Sequence, residues 1–133
     1  MNMDSVVERI LWGRGNGYAK ILESVVDVVL SDVKKSLQCN ICPFCGKVFR
    51  NRRSLRTHIV HKEECNDLYR SSIRYAMDMY IYFRRYILRL YTAKRNYIVI
   101  DLPGRSRLRF RNRSELAQWI KSHRDEVMSL LKV

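Results

Sequence analysis

The sequence predicts an α+β protein: a mainly helical chain with a small ββα unit inserted in it and a C-terminal β-hairpin followed by a helix. Three observations carry this reading. Apolar residues recur at intervals of three and four through residues 18–37, 69–90 and 114–130, the period of a helix buried along one face. Between the first two of these segments lies Cys42-x2-Cys45-x12-His58, a spacing that sets two thiols on a tight knuckle against an imidazole on a short helix. Residues 97–110 instead alternate about Pro103-Gly104, the period-two pattern of paired strands. The chain thus divides into a helical segment (1–38), a Cys/His unit (39–65) and a long helix, basic hairpin and last helix (66–133).

In chain order, Ser5-x-x-Glu8 is a capping box that opens a first short helix, and Gly13 closes it. Gly13, Gly15 and Gly17 have the look of a phosphate loop. No strand precedes them and no Gly-Lys-Ser/Thr follows, so they predict a turn between helices. A second helix spans residues 18–37, with Ile21, Leu22, Val25, Val29 and Val33 as its apolar stripe.

In the Cys/His unit, Cys42-Pro43-Phe44-Cys45-Gly46-Lys47 forms the knuckle, where Gly46 can take the positive φ needed after the second thiol. Phe49 and Leu55 supply a miniature core, too small to fold without a metal. With these residues the segment resembles the C2H2 zinc-finger family, Cys-x2-Cys-x3-Phe-x5-Leu-x2-His, over about residues 40–62. The chain as a whole is similar to small C2H2 proteins of viruses of hyperthermophilic archaea in length, single finger and richness in Arg, Tyr, Ile and Val. The resemblance implies one Zn2+ and a finger helix that enters a DNA major groove.

The family places three to five residues between its two histidines, whereas only two separate His58 from His61 in this chain. His61 follows His58 at i+3, so the two share a helix face, and the predicted ligand set is Cys42, Cys45, His58 and His61. Cys65 is the alternative fourth ligand and requires the chain to leave the helix and fold back; water or Cys39 are further options. If His61 is the ligand, Cys39 and Cys65 remain as free thiols or as a disulfide.

From Lys47 to Lys62 the unit has basic residues and no acid. By the family's helix positions, Asn51, Ser54 and Thr57 would read bases, permissively, with Arg53 beside them. Arg50, Arg52, Arg53 and Arg56 would hold phosphates. A single finger reads about three base pairs, so further contacts are expected elsewhere in the chain.

Asn66 or Asp67 caps a long helix reaching about Lys94, with Tyr69, Ile73, Ala76, Tyr80, Phe83, Ile87 and Leu90 as its seam. The seam predicts packing on the helix of residues 18–37; homodimerisation through residues 69–90 is the alternative. In the hairpin, Arg105, Arg107, Arg109, Arg111 and Arg113 occupy every second position. On a strand all five would share one face, opposite Leu108 and Phe110, and aligned guanidinium groups call for a phosphate partner. Pro103-Gly104 does not favour the tightest hairpin, so a longer loop can take Arg105 off the ribbon. Ser114 then caps a last helix with Leu116, Trp119, Ile120, His123, Val127 and Leu130 along its stripe, His123 at the edge of the core.

Net charge is +13, twenty-six Lys and Arg against thirteen Asp and Glu, which implies a polyanionic partner: nucleic acid, DNA in preference to RNA. The start does not resemble a secretion signal, and charges interrupt the most apolar stretch. The expectation is an intracellular protein without a membrane partner, in the cytoplasm of an archaeal or viral host or in a eukaryotic nucleus. Glu23/Asp27 and Glu63/Glu64 are the close acidic pairs, and neither lies beside a nucleophile, so no enzymatic activity is expected. The function expected is zinc-dependent DNA binding and transcription regulation, with RNA binding or a protein-interaction adaptor as alternatives.

Overall fold

A computed structural model describes residues 3–14, 20–91 and 96–131. The elements are α1 (Met3–Leu11), α2 (Lys20–Val29), α3 (Ser31–Gln38), α4 (Arg52–His61), α5 (Glu63–Arg84), β1 (Ile87–Tyr91), β2 (Asn96–Ile100), β3 (Leu108–Phe110), α6 (Arg113–Ser122) and α7 (Arg124–Leu131). The chain is mainly helical with a small antiparallel sheet, in the order β1-β2-β3 among the described residues, as the α+β class requires.

Two apolar cores lie along one helix. With 22 residues, α5 is about 33 Å long at the usual rise per residue. Its buried residues Cys65, Tyr69, Ile73 and Ala76 enter a first core with α1, α2, Leu37 of α3, and Cys42, Leu55 and Ile59 of the Cys/His unit. Phe83, farther along α5, enters a second core with Ile100, Leu102, Phe110, Leu116, Ile120, Val127 and Leu131. Helix α2 serves both: Leu22 and Val26 face the first, Val25 and Val28 the second. A helix buried on two sides has little room for polar groups, and its fully buried Ser24 returns its hydroxyl to the Lys20 carbonyl at 2.9 Å.

The α5 seam is therefore covered by the chain's own helices. Tyr69, Ile73, Ala76 and Phe83 are all buried within it. The seam does pack on the predicted second helix, but that helix is two. It ends at Val29, turns at Leu30 (φ −115°, ψ 31°) and restarts as α3. Leu30 and Val33 continue the apolar stripe across the turn, so periodicity alone does not show the break. Gly13 closes α1 at φ +81°, whereas Gly15 and Gly17 lie outside the described residues.

The long helix stops ten residues short of its expected end at Lys94, itself outside the described residues. Residues 87–91 form β1, paired antiparallel with β2 from Ile87↔Ile100 to Tyr91↔Asn96. Ile87 and Leu90 satisfy both a helical seam and a strand of β-prone residues, and pairing with β2 decides between them. In the predicted hairpin, Ile98 pairs with Phe110 and Ile100 with Leu108, joined by a wide loop in which Gly104 has φ +72°. Two helices replace the single last one, separated at His123 (φ −117°, ψ 43°). The cap is Asn112 rather than Ser114: Asn112 accepts from the Glu115 N–H, and the Glu115 carboxylate accepts from the Arg111 N–H.

Candidate metal centre

The knuckle is built by backbone hydrogen bonds. The Cys42 N–H donates to the Lys47 carbonyl at 2.9 Å, and the Gly46 N–H to the Cys42 carbonyl at 2.8 Å. Gly46 has φ +79°, as its position after Cys45 demands. Two expected strands reduce to one bridge, Ile41↔Val48, framed by a bond from the Phe49 N–H to the Asn40 carbonyl. Helix α4 then starts at Asn51, whose side chain accepts from the Ser54 N–H at 2.8 Å. At its other end Lys62 is extended (φ −81°, ψ 109°) and serves as the last residue of α4's frame and the cap of α5. This one-residue elbow brings the first turn of α5 back toward the knuckle.

As a result the ligating atoms of Cys42, Cys45, His58 and Cys65 all lie within 4.8 Å of one another, with Cys45 Sγ 3.4 Å from His58 Nε2. A tetrahedral ion with thiolate bonds of about 2.3 Å holds its sulfurs roughly 3.8 Å apart, so three thiols and one imidazole at this separation can hold one metal ion. His61 is not in the group and is exposed. At i+3 it sits about 60° farther than His58 from the buried Leu55–Ile59 face of α4, turned to solvent. The fourth position falls to Cys65, the option that needs the chain to fold back. Cys39 is an exposed free thiol, outside the group.

The four positions differ in environment. Cys42 and Cys65 are buried, His58 is half-buried against the Phe49 ring at 4.7 Å, and Cys45 faces outward. The backbone N–H of Lys47 lowers the Cys45 thiol from its ordinary value. Burial, followed by the neighbouring thiols of Cys42 and Cys45, pushes Cys65 up to about 12. The buried Cys65 thiol thus resists ionisation by itself, and a cation beside it would reverse that preference, because the thiolate is the metal-binding form.

The unit is fastened to the rest of the chain through Trp12, which the sequence did not single out. Trp12 is 3% exposed. Its Nε1 donates to the Tyr69 hydroxyl at 3.0 Å, and that hydroxyl donates to Glu8 Oε1 at 3.0 Å. Burial, opposed by the Trp12 bond and reinforced by Glu8, raises the Tyr69 phenol, keeping it a neutral donor. From α4, Arg52 donates to the Trp12 carbonyl at 3.0 Å, and the guanidinium groups of Arg52 and Arg56 lie 6.0 and 5.6 Å from the indole centroid. Phe44, between the two knuckle cysteines, meets the Tyr69 ring edge-on at 6.5 Å. A Trp one residue past a helix end was the available signal.

Of the residues expected to touch nucleic acid, Arg52 and Arg56 thus lie against Trp12, and the Asn51 side chain is engaged as a cap. Arg50, Arg53, Ser54 and Thr57 are exposed, and the Thr57 hydroxyl donates to the Arg53 carbonyl at 3.0 Å. The five alternating arginines do not form one row, since β3 spans only Leu108–Phe110 and only Arg109 is on it. Arg105 pairs with Glu126 and lies over Trp119, and Arg107 is 3.7 Å from Asp101. Arg109 covers the Tyr97 ring, and Arg111 and Arg113 flank the start of α6. No family model, curated protein or solved structure matches the chain.

Proposed function

We propose that the protein is a zinc-dependent DNA-binding protein, a transcription regulator that presents α4 to the major groove. Zinc is the ion favoured by a tetrahedral set of three thiolates and one imidazole. On this reading the finger is a variant of the C2H2 pattern in which Cys65 stands for the second histidine. Zinc would hold the knuckle, α4 and α5 together and take no part in a reaction.

The observation that carries the DNA reading is the outer face of α4 and its approach. Arg50 and Arg53 are exposed and make no ion pair among the described residues, and Lys47 stands nearby in a segment without an acid. Ser54, Thr57 and Val60 lie exposed with them, so cations for phosphates are interleaved with small polar and apolar groups suited to base edges and thymine methyls. Arg109, Arg111 and Arg113 would add backbone contacts, as they too are exposed and without an ion pair among the described residues. Arg105 and Arg107 contribute less, because local carboxylates hold them.

The test is selection from a random duplex pool with and without a chelator, followed by a salt series on the selected sequence. The proposal expects chelator-sensitive binding whose logarithm falls steeply with the logarithm of salt concentration. Tighter binding to single-stranded RNA would move the function to RNA, and no binding to either polymer at low salt would leave an interaction protein.

A further inference from the structure

We infer that Trp12 and Tyr69, neither of them a ligand, are positioning residues for the metal centre, so that metal loading and the seating of α1 are a single equilibrium. The inference rests on the metal reading of Cys42, Cys45, His58 and Cys65.

The three elements that supply the ligands are the knuckle, α4 and α5, and each touches the Trp12–Tyr69 pair. The knuckle does so through Phe44, whose ring meets Tyr69. Helix α4, bearing His58, does so through Arg52 and Arg56, which lie on either the carbonyl or the ring of Trp12. Helix α5 supplies Cys65 and, one turn on along the same buried face, Tyr69 itself. Between them runs a chain of donors from Trp12 Nε1 to the Tyr69 hydroxyl to Glu8, which ties α1 to α5 in a buried place where a broken bond leaves an unsatisfied group. The apolar side agrees: Val7, Ile10, Leu11 and Trp12 share one core with Cys42, Leu55 and Cys65.

Such contacts work in both directions. If the metal fixes the three elements on which α1 sits, then α1 fixes the three elements that hold the metal, by the same factor. A free-standing finger, closed by ligands from its own ~28 residues, would have no such dependence on a helix thirty residues earlier in the chain.

The experiment uses the full chain and a chromophoric chelator competing for Zn2+ and, separately, for Co2+, whose absorption reports the ligand set. Tyr69→Phe keeps the ring against Phe44 and removes the hydroxyl bridge; Trp12→Ala removes the seat of Arg52 and Arg56. Both are expected to lower metal affinity by about fivefold or more while the Co2+ spectrum keeps its shape. Ile120→Val, a change in the second core, serves as control and is expected to leave affinity unaltered. In a Trp119→Phe background, where Trp12 is the sole tryptophan, stripping the metal should also shift Trp12 emission toward that of exposed indole. Wild-type affinity in Tyr69→Phe, together with unchanged Trp12 emission on chelation, would overturn the inference. If Trp12→Ala does not fold, Tyr69→Phe and the emission measurement decide alone. If the unaltered chain binds neither ion, it is the metal reading that fails.

Discussion

The Cys/His unit and the arginine-rich segment around β3 both announce themselves in the sequence by spacing, yet the structure treats them differently. In the first, Cys42, Cys45 and His58 converge as their spacing requires. In the second, residues spaced for one face of a strand are distributed over a loop, a three-residue strand and a helix start. The difference lies in what each spacing constrains. Thiols and an imidazole that share one ion must meet at a point, whatever local structure carries them. Alternation aligns side chains only if the strand persists, and here local acids take over: Glu126 and Asp101 draw in Arg105 and Arg107, while Glu115 and Asn112 begin a helix at Arg113.

The contrast can be broken most forcibly by removing the metal. Chelation is expected to abolish the cooperative unfolding of the first core while α2, α6 and the sheet keep protected amides, a split that hydrogen exchange would show. Equal loss of protection at Ile59 and Ile120 would mean the two cores are one unit. Core truncations draw the same line. Phe83→Ala should cost about 3–5 kcal/mol and Leu55→Ala about 2–5 kcal/mol in denaturant unfolding, both side chains being fully buried. Only Leu55→Ala should also weaken metal binding, since it lines the centre's core and Phe83 lies in the other.

Acidity gives a third comparison, between two thiols of the one cluster. Cys65 holds its proton to about 12 before loading, while Cys45 gives its proton up more readily than an ordinary thiol. Ligation requires the thiolate, so loading at neutral pH must expel the Cys65 proton, and affinity should climb as pH rises and fall as it drops. Proton release on titrating metal into a weakly buffered sample measures this, and a pH-independent affinity would contradict it.

The smallest effect concerns the two basic regions. Arg53→Gln, which removes a cation with no ion pair among the described residues, should lower the slope of log affinity against log salt by about 0.9 for the phosphate lost. Arg105→Gln, already paired with Glu126, should change it much less. The reverse order would restore the ribbon as the chief contact.

What was legible in the sequence follows from the same distinction. The knuckle, its glycine, the apolar face of α5 and the β2–β3 pairing were all written in local patterns. The fourth ligand was not, because Cys65 reaches the site only through the extended Lys62, and an elbow of one residue leaves no pattern of its own. Neither was β1: Ile87 and Leu90 fit helix and strand alike until β2 is beside them. The roles of Arg52 and Arg56 depended on Trp12, forty and forty-four residues away, beyond any periodicity.

The central claim is that Cys65 and not His61 completes the metal centre, and one pair of variants tests it. Metal affinity of Cys65→Ser and His61→Ala should be measured by competition, with Co2+ absorption recorded for each. The structure predicts that Cys65→Ser loses tight binding and its thiolate-to-cobalt absorption weakens, while His61→Ala matches the unaltered chain in both. Loss of binding in His61→Ala with Cys65→Ser unaffected would contradict it.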